Sequence, residues 1–399
     1  MTKKSDAPAI RFKGFSDAWE QRKFDEVFDC TVPNNTLSRA ELSYDEGTVL
    51  NVHYGDVLIK YGSVLDVQKD DIPRIPHRCR EDFNGALLQD GDVIIADTAE
   101  DETTGKACEI GNLQGSAIVS GLHTMVCRPR NRMALGYLGY YLNSNAYHHQ
   151  LLPLMQGIKV LSLSRSNIQK TSVSYPIAVK EQQLIAYYFS QLDNLITLHQ
   201  RKFEKLTNVK KSMLEKMFPQ NGSSYPEIRF KGFTDPWEQR KLGDVVDVRS
   251  GKDYKHLSEG NIPVYGTGGF MLSVNQALSY DEDAIGIGRK GTIDKPYILK
   301  APFWTVDTLF YAIPREKVDL NFAFDVFQNI DWKKKDESTG VPSLSKTAIN
   351  EIDVLVPQYD EQQPLGQFFN RIDNLITLHQ RELEKLQNIK KSMLEKMFV

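Results

Sequence analysis

The sequence predicts an α+β protein in which two mixed α/β domains are separated by two long antiparallel coiled-coil helices, arranged as a pseudo-two-fold internal repeat. Three observations predict this fold. Residues 10–24 return at 228–242 with twelve identities in fifteen, and residues 193–218 return at 373–398 with twenty-two identities in twenty-six. The two offsets, 218 and 180, differ by 38, so the segments between the copies differ in length. The chain therefore consists of two half-molecules with shared ends and different middles.

The composition is that of a globular protein. The 399 residues are 41% hydrophobic and 25% charged, which fits two to three domains and excludes a disordered or fibrous chain. No run of eighteen apolar residues and no signal-peptide core occurs, so we expect a cytoplasmic protein without a membrane contact. Cys30, Cys79, Cys108 and Cys127 form no Cys-x-x-Cys pair, so we expect reduced structural thiols rather than a zinc site or a disulfide framework.

Each middle segment is predicted to be a compact mixed α/β domain. A helix start is predicted at Asp17–Glu20 and at Asp235–Glu238, because Asp can cap the first amides of a helix. Short strand-like runs follow, such as Asp92–Ala96 and Ala284–Ile287. A short stretch of sequence similarity remains near the end of each middle segment, and we therefore expect both middles to have the same fold. It consists of Ser162-Leu163-Ser164 with Ile168 and Pro176, against Ser343-Leu344-Ser345 with Ile349 and Pro357.

The boundaries follow from these patterns. We call residues 25–178 the first head and residues 243–358 the second head. The predicted segments are the opening segment 1–24, the first head, the first helix 179–218, the linker and repeated opening 219–242, the second head, and the second helix 359–399.

The shared C-terminal segments are predicted to be long helices. No Pro or Gly interrupts Gln183–Phe218, and apolar residues recur there in steps of four and three. Thirty-six residues give a helix about 54 Å long, whose apolar stripe is best buried against its copy in an antiparallel pair. The predicted stripe is Ile185, Phe189, Leu192, Ile196, His199, Phe203, Leu206 and Met213 in the first helix, and Leu365, Phe369, Ile372, Ile376, His379, Leu383, Leu386 and Met393 in the second.

Such a two-headed object suits duplex DNA, whose successive major-groove faces recur every 34–36 Å or so. Two identical heads would recognise a palindrome. Two unlike heads would recognise two unlike half-sites with an unread gap between them, and the helices would fix the length of the gap.

The chain resembles the specificity subunit of a type I restriction-modification enzyme over essentially its whole length. The resemblance lies in the duplicated helix strings DNLITLHQR and KKSMLEKMF, the FKGF-x-D-x-WEQRK openings, the SLS-x(3)-I-x(7)-P closings and the string Ile262–Phe270. It implies that the heads are target-recognition domains, that this bacterial, cytoplasmic protein takes part in anti-phage defence, and that it is not an enzyme by itself. It further implies that two modification (methyltransferase) subunits dock on the helices and that motor-nuclease (restriction) subunits join them. Adenine methylation and ATP-driven cleavage, with S-adenosylmethionine, ATP and Mg²⁺, would belong to those partners, and this chain would hold no cofactor or metal.

The motifs of the chain agree with that division. Neither an Asn/Asp-Pro-Pro-Tyr/Phe string nor a Gly-x(4)-Gly-Lys-Ser/Thr string occurs. One Gly-x-Gly-x-x-Gly, at Gly286–Gly291, leaves three interpretations open, namely a dinucleotide site, a plain hairpin turn and a basic loop that presents Arg289 and Lys290 to DNA. The Asp-x-Lys strings at Asp253 and Asp331 are more economically explained by chance than by a nuclease site.

The charge distribution limits how DNA can be bound. The first head between residues 25 and 175 has 13 basic and 19 acidic side chains, and residues 243–355 of the second have 13 and 17. Both heads are thus net acidic, which argues for clustered contacts to phosphates or guanine edges rather than strong nonspecific affinity. The candidate DNA-binding residues are Lys60, Tyr61, Arg74, Arg78, Arg80, Lys159 and Arg165 in the first head, and Arg249, Lys252, Lys255, Tyr265, Thr267, Arg289, Lys290, Thr292, Lys295 and Lys346 in the second.

A different class of function stays open. A coiled-coil scaffold whose variable heads bind other proteins would show the same repeat, and sequence-dependent DNA affinity distinguishes the two. A stand-alone enzyme ranks third, because no nucleophile, base and orienting group stand together in a pattern. The bases recognised by the heads cannot be predicted, because specificity depends on side-chain placement and on DNA deformability.

Overall fold

The computed structural model describes residues 7–220 and 222–399. The chain forms two compact units. Unit 1 runs up to Leu198 and includes Leu383–Val399, and unit 2 is His199–Glu382. The division therefore falls inside both long helices, whereas the predicted segment boundaries followed the order of the chain.

Unit 1 contains the first head. Its strands are β1 (Glu20–Lys23), β2 (Phe28–Asp29), β3 (Val49–Val52), β4 (Val64–Asp66), β5 (Arg74–Ile75), β6 (Val93–Ala96), β7 (Thr98–Ala99), β8 (Ala107–Gly111), β9 (Ala117–Ser120), β10 (Thr124–Pro129), β11 (Leu161–Ser162) and β12 (Ser172–Tyr175). Its helices are α1 (Phe24–Val27), α2 (Tyr54–Ile59), α3 (Tyr137–Leu142), α4 (Asn145–His148), α5 (Arg165–Ile168) and the first half of α6 (Val179–Met217), with 3₁₀ turns at Arg39–Glu41, Arg80–Phe83 and Leu152–Leu154.

Unit 2 contains the second head. Its strands are β13 (Glu238–Lys241), β14 (Val246–Ser250), β15 (Glu259–Gly266), β16 (Gly269–Val274), β17 (Ala284–Gly288), β18 (Tyr297–Leu299), β19 (Trp304–Thr305), β20 (Leu309–Pro314) and β21 (Asp353–Val356). Its helices are α7 (Leu242–Val245), α8 (Leu320–Asn329), α9 (Lys346–Asn350) and most of α10 (Tyr359–Lys396), with a 3₁₀ turn at Trp332–Lys335.

The two heads share a strand order over most of their sheets, which the sequence analysis did not specify. The order β2-β10-β6-β8 of unit 1, extended by β4, matches β14-β20-β17-β18 of unit 2. The sheet β5-β3-β9 matches β16-β15-β19, and in each the second pair is parallel. The ladders β1–β12 and β13–β21 also match. The expectation of one fold twice is confirmed.

The predicted strand runs at 92–96 and 284–287 are strands, and their apolar character has a physical cause. Val93 and Ile95 on β6 face one hydrophobic cluster, and Ile94 and Ala96 face another. Because alternate side chains point to opposite faces of a strand, a sheet that is covered on both faces needs a continuous apolar run.

The two long helices pair antiparallel within each unit. In unit 1, Lys390 forms an ion pair with Asp193 at 2.5 Å, and Phe398 stacks on Phe189 at 5.6 Å. In unit 2, His199 Nδ1 lies 3.1 Å from His379 Nδ1. There Lys210 pairs with Asp373, and Phe218 lies beside Phe369. Residues with higher numbers in α6 contact residues with lower numbers in α10, as an antiparallel pair requires. Every residue of the predicted stripe is buried or half-buried.

Each helix ends inside a head core. Phe398 is 4% exposed and contacts Trp19 in unit 1, and Phe218 is 4% exposed and contacts Trp237 in unit 2. The repeated openings are fixed to the helix starts by equivalent buried ion pairs. These are the two-bond pairs Arg11–Glu181 in unit 1 and Arg229–Glu361 in unit 2.

The predicted helix starts at Asp17–Glu20 and Asp235–Glu238 are wrong. Strands β1 and β13 begin at Glu20 and Glu238, and only the four-residue helices α1 and α7 follow. The physical reason is tertiary. The apolar side chains of Trp19 and Trp237 are buried in the cores, and the backbone after them pairs with β12 and β21, which outweighs a local capping signal.

Two further expectations concern the thiols and the membrane. All four cysteines are free, and Cys30, Cys108 and Cys127 are buried. None of the helices in the described part of the chain combines the length and the apolarity that a bilayer crossing requires.

Candidate DNA interface

The clearest shared surface feature is the short helix that follows the Ser-Leu-Ser string in each head. Ser164 accepts a hydrogen bond from the Asn167 amide at 3.2 Å and caps α5, and Ser345 accepts one from the Ala348 amide at 3.0 Å and caps α9. The first helical residue after each cap is an exposed cation, Arg165 in α5 and Lys346 in α9. Both were predicted candidates, and the fold places them at equivalent positions.

The loop beside each cap carries opposite charges in the two heads. The Leu163 amide donates to the carbonyl oxygen of Asp97 at 2.8 Å, and the Leu344 amide donates to that of Arg289 at 2.9 Å. Asp97 and Arg289 therefore occupy equivalent backbone positions. The Asp97 carboxylate accepts from Thr98 Oγ1 at 2.8 Å and lies 3.3 Å from His123, whereas the Arg289 side chain is exposed. The two heads thus present different chemistry at one place in a common scaffold.

The Gly286–Gly291 string is not a dinucleotide site. Its first residues belong to β17, and the chain returns antiparallel as β18 without an intervening helix. A dinucleotide site needs a helix N-terminus after the glycines, so that interpretation is wrong. The hairpin and the basic loop remain compatible, because the connection exposes Lys290, Thr292 and Lys295.

Three candidates of the second head lie around the sheet β16-β15-β19. Lys252 is held by its backbone, which donates to Thr305 and accepts from the indole of Trp304 at 2.8 Å. Tyr265 lies on β15 opposite Thr305, and Thr267 lies in the turn that joins β15 to β16. Lys252 and Lys255 are exposed. The β19 contacts hold the Lys252 loop against this sheet.

Arg249 has local partners. Its guanidinium is half-buried, donates to Asp247 at 2.7 Å and lies 3.3 Å from Glu282. The hydrogen bond to Asp247 raises the pKa of Arg249. Two carboxylates already compensate this charge, so it is a weaker candidate for a phosphate contact than the exposed lysines.

In the first head, the neighbouring candidates Lys60 and Tyr61 differ in exposure. Lys60 is exposed, pairs with Asp71 at 2.8 Å and lies 4.6 Å from the ring centre of Tyr44. Tyr61 is only 3% exposed, and burial raises the pKa of its hydroxyl. A buried ring cannot stack on a base, so the structure contradicts Tyr61 as a DNA contact.

The arginines of the first head follow the edge of the sheet β5-β3-β9. Arg74 lies on the edge strand β5, and Arg78 and Arg80 follow it, all three exposed. Arg80 donates to the carbonyl oxygen of Gly115 at 3.1 Å. Lys159 lies on a separate exposed loop, before β11.

Several exposed groups were not among the sequence candidates. Tyr44 is 40% exposed, and the guanidinium carbon of Arg39 lies 5.3 Å from its ring centre. The Tyr44 hydroxyl also accepts a hydrogen bond from Lys60. Ile158 is fully exposed beside Lys159. In the second head Phe270 and Met271 are 63% and 50% exposed at the start of β16. In the sequence this pair directly follows a Gly-Gly turn, and Phe270 ends the Ile262–Phe270 string, but neither feature indicated its exposure.

The Asp-x-Lys string at Asp331 does not bring its two charged side chains together. Asp331 pairs with Lys334 and Lys333 pairs with Asp294, so the two side chains of that Asp-x-Lys string face other partners. Across residues 7–220 and 222–399, no group of three or more His, Cys, Asp or Glu side chains is placed to hold a metal ion.

Comparisons with known proteins agree with the duplicated architecture. The chain is 24% identical over 411 residues to the putative type I restriction enzyme MjaX specificity subunit of Methanocaldococcus jannaschii, covering 94% of this chain and 92% of the relative. It is 25% identical over 256 residues to the MjaVIII specificity subunit of the same organism, and there the match spans 54% of this chain and 59% of the relative.

A solved structure has the same fold. The crystal structure of a type I restriction-modification system S subunit from M. genitalium superposes with a TM-score of 0.72, at 16% identity, over 98% of this chain and 99% of the other. The model of the family described as the type I restriction modification DNA specificity domain matches residues 16–208 and 234–388. With a match in each half that together covers most of its length, the chain belongs to the family of type I restriction-modification DNA specificity domains.

Proposed function

We propose that this chain is the non-catalytic specificity subunit of a type I restriction-modification complex and recognises a bipartite, asymmetric DNA site with one head per half-site. The observation that carries the proposal is the common fold of the heads with unlike surfaces. The equivalent positions of Asp97 and Arg289 have opposite charge, and the equivalent edge strands present Arg74 in one head and Phe270 in the other. Unlike surfaces on one scaffold select unlike half-sites, because base edges differ in donors, acceptors and methyl groups.

The chemistry is proposed to belong to partner chains. We assign adenine methylation to two modification subunits, which would bind S-adenosylmethionine, and ATP-dependent cleavage to restriction subunits, which would bind ATP and Mg²⁺. This chain would direct both activities to the site and would hold none of these cofactors. The absence of a nucleotide-binding or methyltransferase string in the sequence supports this division.

Two copies of one docking surface support the number of modification subunits. Leu195 and Leu198 on α6 are 43% and 46% exposed, and their repeat equivalents Leu375 and Leu378 on α10 are 44% and 51% exposed. We call these the α6 leucine pair and the α10 leucine pair. Exposed leucines on a helix face favour burial against a partner, and a repeated surface favours two copies of that partner.

An exchange of one head tests the proposal. The chain and a modification subunit would be expressed together in cells without other adenine methyltransferases, and methylated adenines would be mapped across the genome. Replacing residues 25–178 with the corresponding head of a relative should change one half of the methylated motif, because each head selects its half-site independently.

The other half and the gap between the halves serve as internal controls in the same cells. A motif in which both halves change, or neither does, contradicts the assignment of one head to each half-site. Absence of any sequence-dependent methylation with the unaltered chain would instead favour a protein-binding scaffold.

A further inference from the structure

The edge strand β16 of the second head has an unusual surface. Phe270 and Met271, its second and third residues, are 63% and 50% exposed, and β16 lies at the edge of the sheet β16-β15-β19. Natural proteins usually protect edge strands with charged side chains, because an apolar edge invites unwanted pairing. In the first head the outer side of the equivalent strand β5 is covered, because the backbone of Arg74 exchanges two hydrogen bonds with that of Ser43. The exposed apolar edge strand of the second head therefore indicates a binding surface.

The apolar pair is held on a rigid support. The Phe270 ring lies 6.3 Å from Tyr265 across the hairpin, and Tyr265 lies 6.1 Å from Tyr297. The Tyr297 hydroxyl donates to the carbonyl oxygen of Gly266 at 2.6 Å and fixes the turn. A Cβ atom at Gly266 would lie 2.8 Å from Met271 Sδ, so the Met271 side chain packs closely against the turn.

Three exposed lysines lie on segments that adjoin this support and indicate the class of partner. Lys252 is held on β19 through Trp304 and Thr305, next to β15. Lys255 is exposed on the same loop, and Lys295 is exposed two residues before Tyr297. An apolar patch with lysines on the adjoining segments complements a surface that has methyl groups between phosphates. The major groove of DNA is such a surface, and it is wide enough for a two-stranded ribbon.

We propose that the β15–β16 hairpin enters the major groove and that Phe270 and Met271 contact the 5-methyl group of thymine in the half-site of the second head. This inference rests on the proposed function and adds to it the group that is recognised. The lysines around the hairpin contact phosphates, which position the hairpin without selecting a sequence. The apolar pair supplies the selection.

Methylation mapping comes first in the test. Cells expressing the chain with its modification subunit give the wild-type motif, and cells expressing Phe270→Ala or Met271→Ala give the variant motifs. We expect the variants to become degenerate at a thymine in one half only. Tyr225→Ala is the matched control, because Tyr225 is 53% exposed and lies in the linker outside both heads. We expect it to leave the motif unchanged.

Binding measurements identify the methyl group. The probes are duplexes that carry the wild-type motif, with thymine or with uracil at the degenerate position, and the protein is the complex with the modification subunit. Loss of one buried methyl should weaken wild-type binding about fourfold. Phe270→Ala should weaken binding about tenfold and make the complex indifferent to uracil. Phe270→Leu, which keeps an apolar side chain, should keep part of the uracil effect.

Salt dependence separates the apolar pair from the lysines. Phe270→Ala should leave the slope of log K against log salt unchanged, because no counterion release is lost, whereas Lys252→Gln should reduce it by about one. An unchanged motif and affinity in Phe270→Ala overturns the inference, as does loss of the modification subunit from that variant, which would make the hairpin a protein contact. If the wild-type complex methylates no bipartite motif, the proposed function itself fails, and this inference fails with it.

Discussion

Glu109 is an acidic side chain in the interior of the first head. It lies on β8, is 1% exposed, and its Oε2 accepts a hydrogen bond from the Gly139 amide at 2.8 Å at the start of α3. Burial raises the pKa of this carboxyl group to about 7, although the amides of α3 oppose the shift. The side chain therefore couples the stability of the first head to pH in the physiological range.

Glu109→Gln should remove this coupling. In the wild type the unfolded chain releases the proton near pH 4.5 while the folded chain keeps it until about pH 7. Between these values the free energy of unfolding should fall as pH rises, by up to about 3 kcal/mol from this group, and no further above pH 7. The glutamine carbonyl still accepts from Gly139 but does not titrate. Urea unfolding at a series of pH values should show the stability of the wild type falling relative to that of the variant between pH 4.5 and 7.

The matched control is Glu100→Gln, at an exposed position in the same head. Its unfolding curves should match those of the wild type, because the substitution changes an exposed side chain outside the core. Parallel curves for the wild type and Glu109→Gln would show that Glu109 does not carry the coupling.

At individual positions, the sequence shows the chemistry of a side chain but not whether that side chain is exposed in the fold. Lys60 and Tyr61 are neighbours and were equal candidates, yet Lys60 faces solvent and Tyr61 faces the core. The direction of the chain at the end of α2 determines which of the two side chains is buried. That direction depends on how α2 packs against the neighbouring sheet. Phe270 was missed for the opposite reason, because an exposed aromatic is indistinguishable in the sequence from a core residue.

Among the elements, the long helices were the most predictable. Their stripe repeats over many turns and depends only on local spacing, so α6 and α10 have close to the predicted bounds. The strand order of the heads was not predictable, because it depends on pairs distant in the chain, such as β3 with β9 and β1 with β12. The failed helix starts at Asp17 and Asp235 have the same cause.

The exposed leucine pairs make a prediction for the helices. Leu195→Ser with Leu198→Ser should remove one modification subunit from the complex, because each leucine loses the apolar surface that its partner would cover. Native mass spectrometry of the co-expressed complex should then give one modification subunit per chain in place of two. The equivalent change at Leu375 and Leu378 should also give one, and the change at all four positions should give none.

Ile59→Ser is the control for the leucine variants. Ile59 is 88% exposed on α2 in the first head, so the substitution removes exposed apolar surface without changing α6 or α10. The complex should keep both modification subunits. If both leucine double variants also keep two subunits, these surfaces are not the docking sites.

For the whole molecule, the helices are proposed to set the gap in the DNA site. His199 and His379 face each other within unit 2 and mark one level in the two helices. Inserting seven helical residues after each of them keeps the apolar stripe in phase and lengthens both helices by about 10 Å. Methylation mapping should then show the same two half-sites with a gap about three base pairs longer, at roughly 3.4 Å per base pair.

Insertion into α6 alone is the matched control. It shifts the stripe of one helix relative to the other, so the antiparallel contacts cannot all form, and methylation should be lost. An unchanged gap with full methylation in the doubly extended chain would contradict the role of the helices as a spacer.

The inclusion of residues 383–399 in unit 1 has a consequence for synthesis on the ribosome. Met397 and Phe398 are part of the core that surrounds Trp19 and Tyr137. The domain translated first therefore lacks part of its interior until residues 397 and 398 have left the exit tunnel, long after its own segment has done so. Nascent chains that stop within α10 would leave that early domain with an open apolar cavity, available to chaperones and proteases.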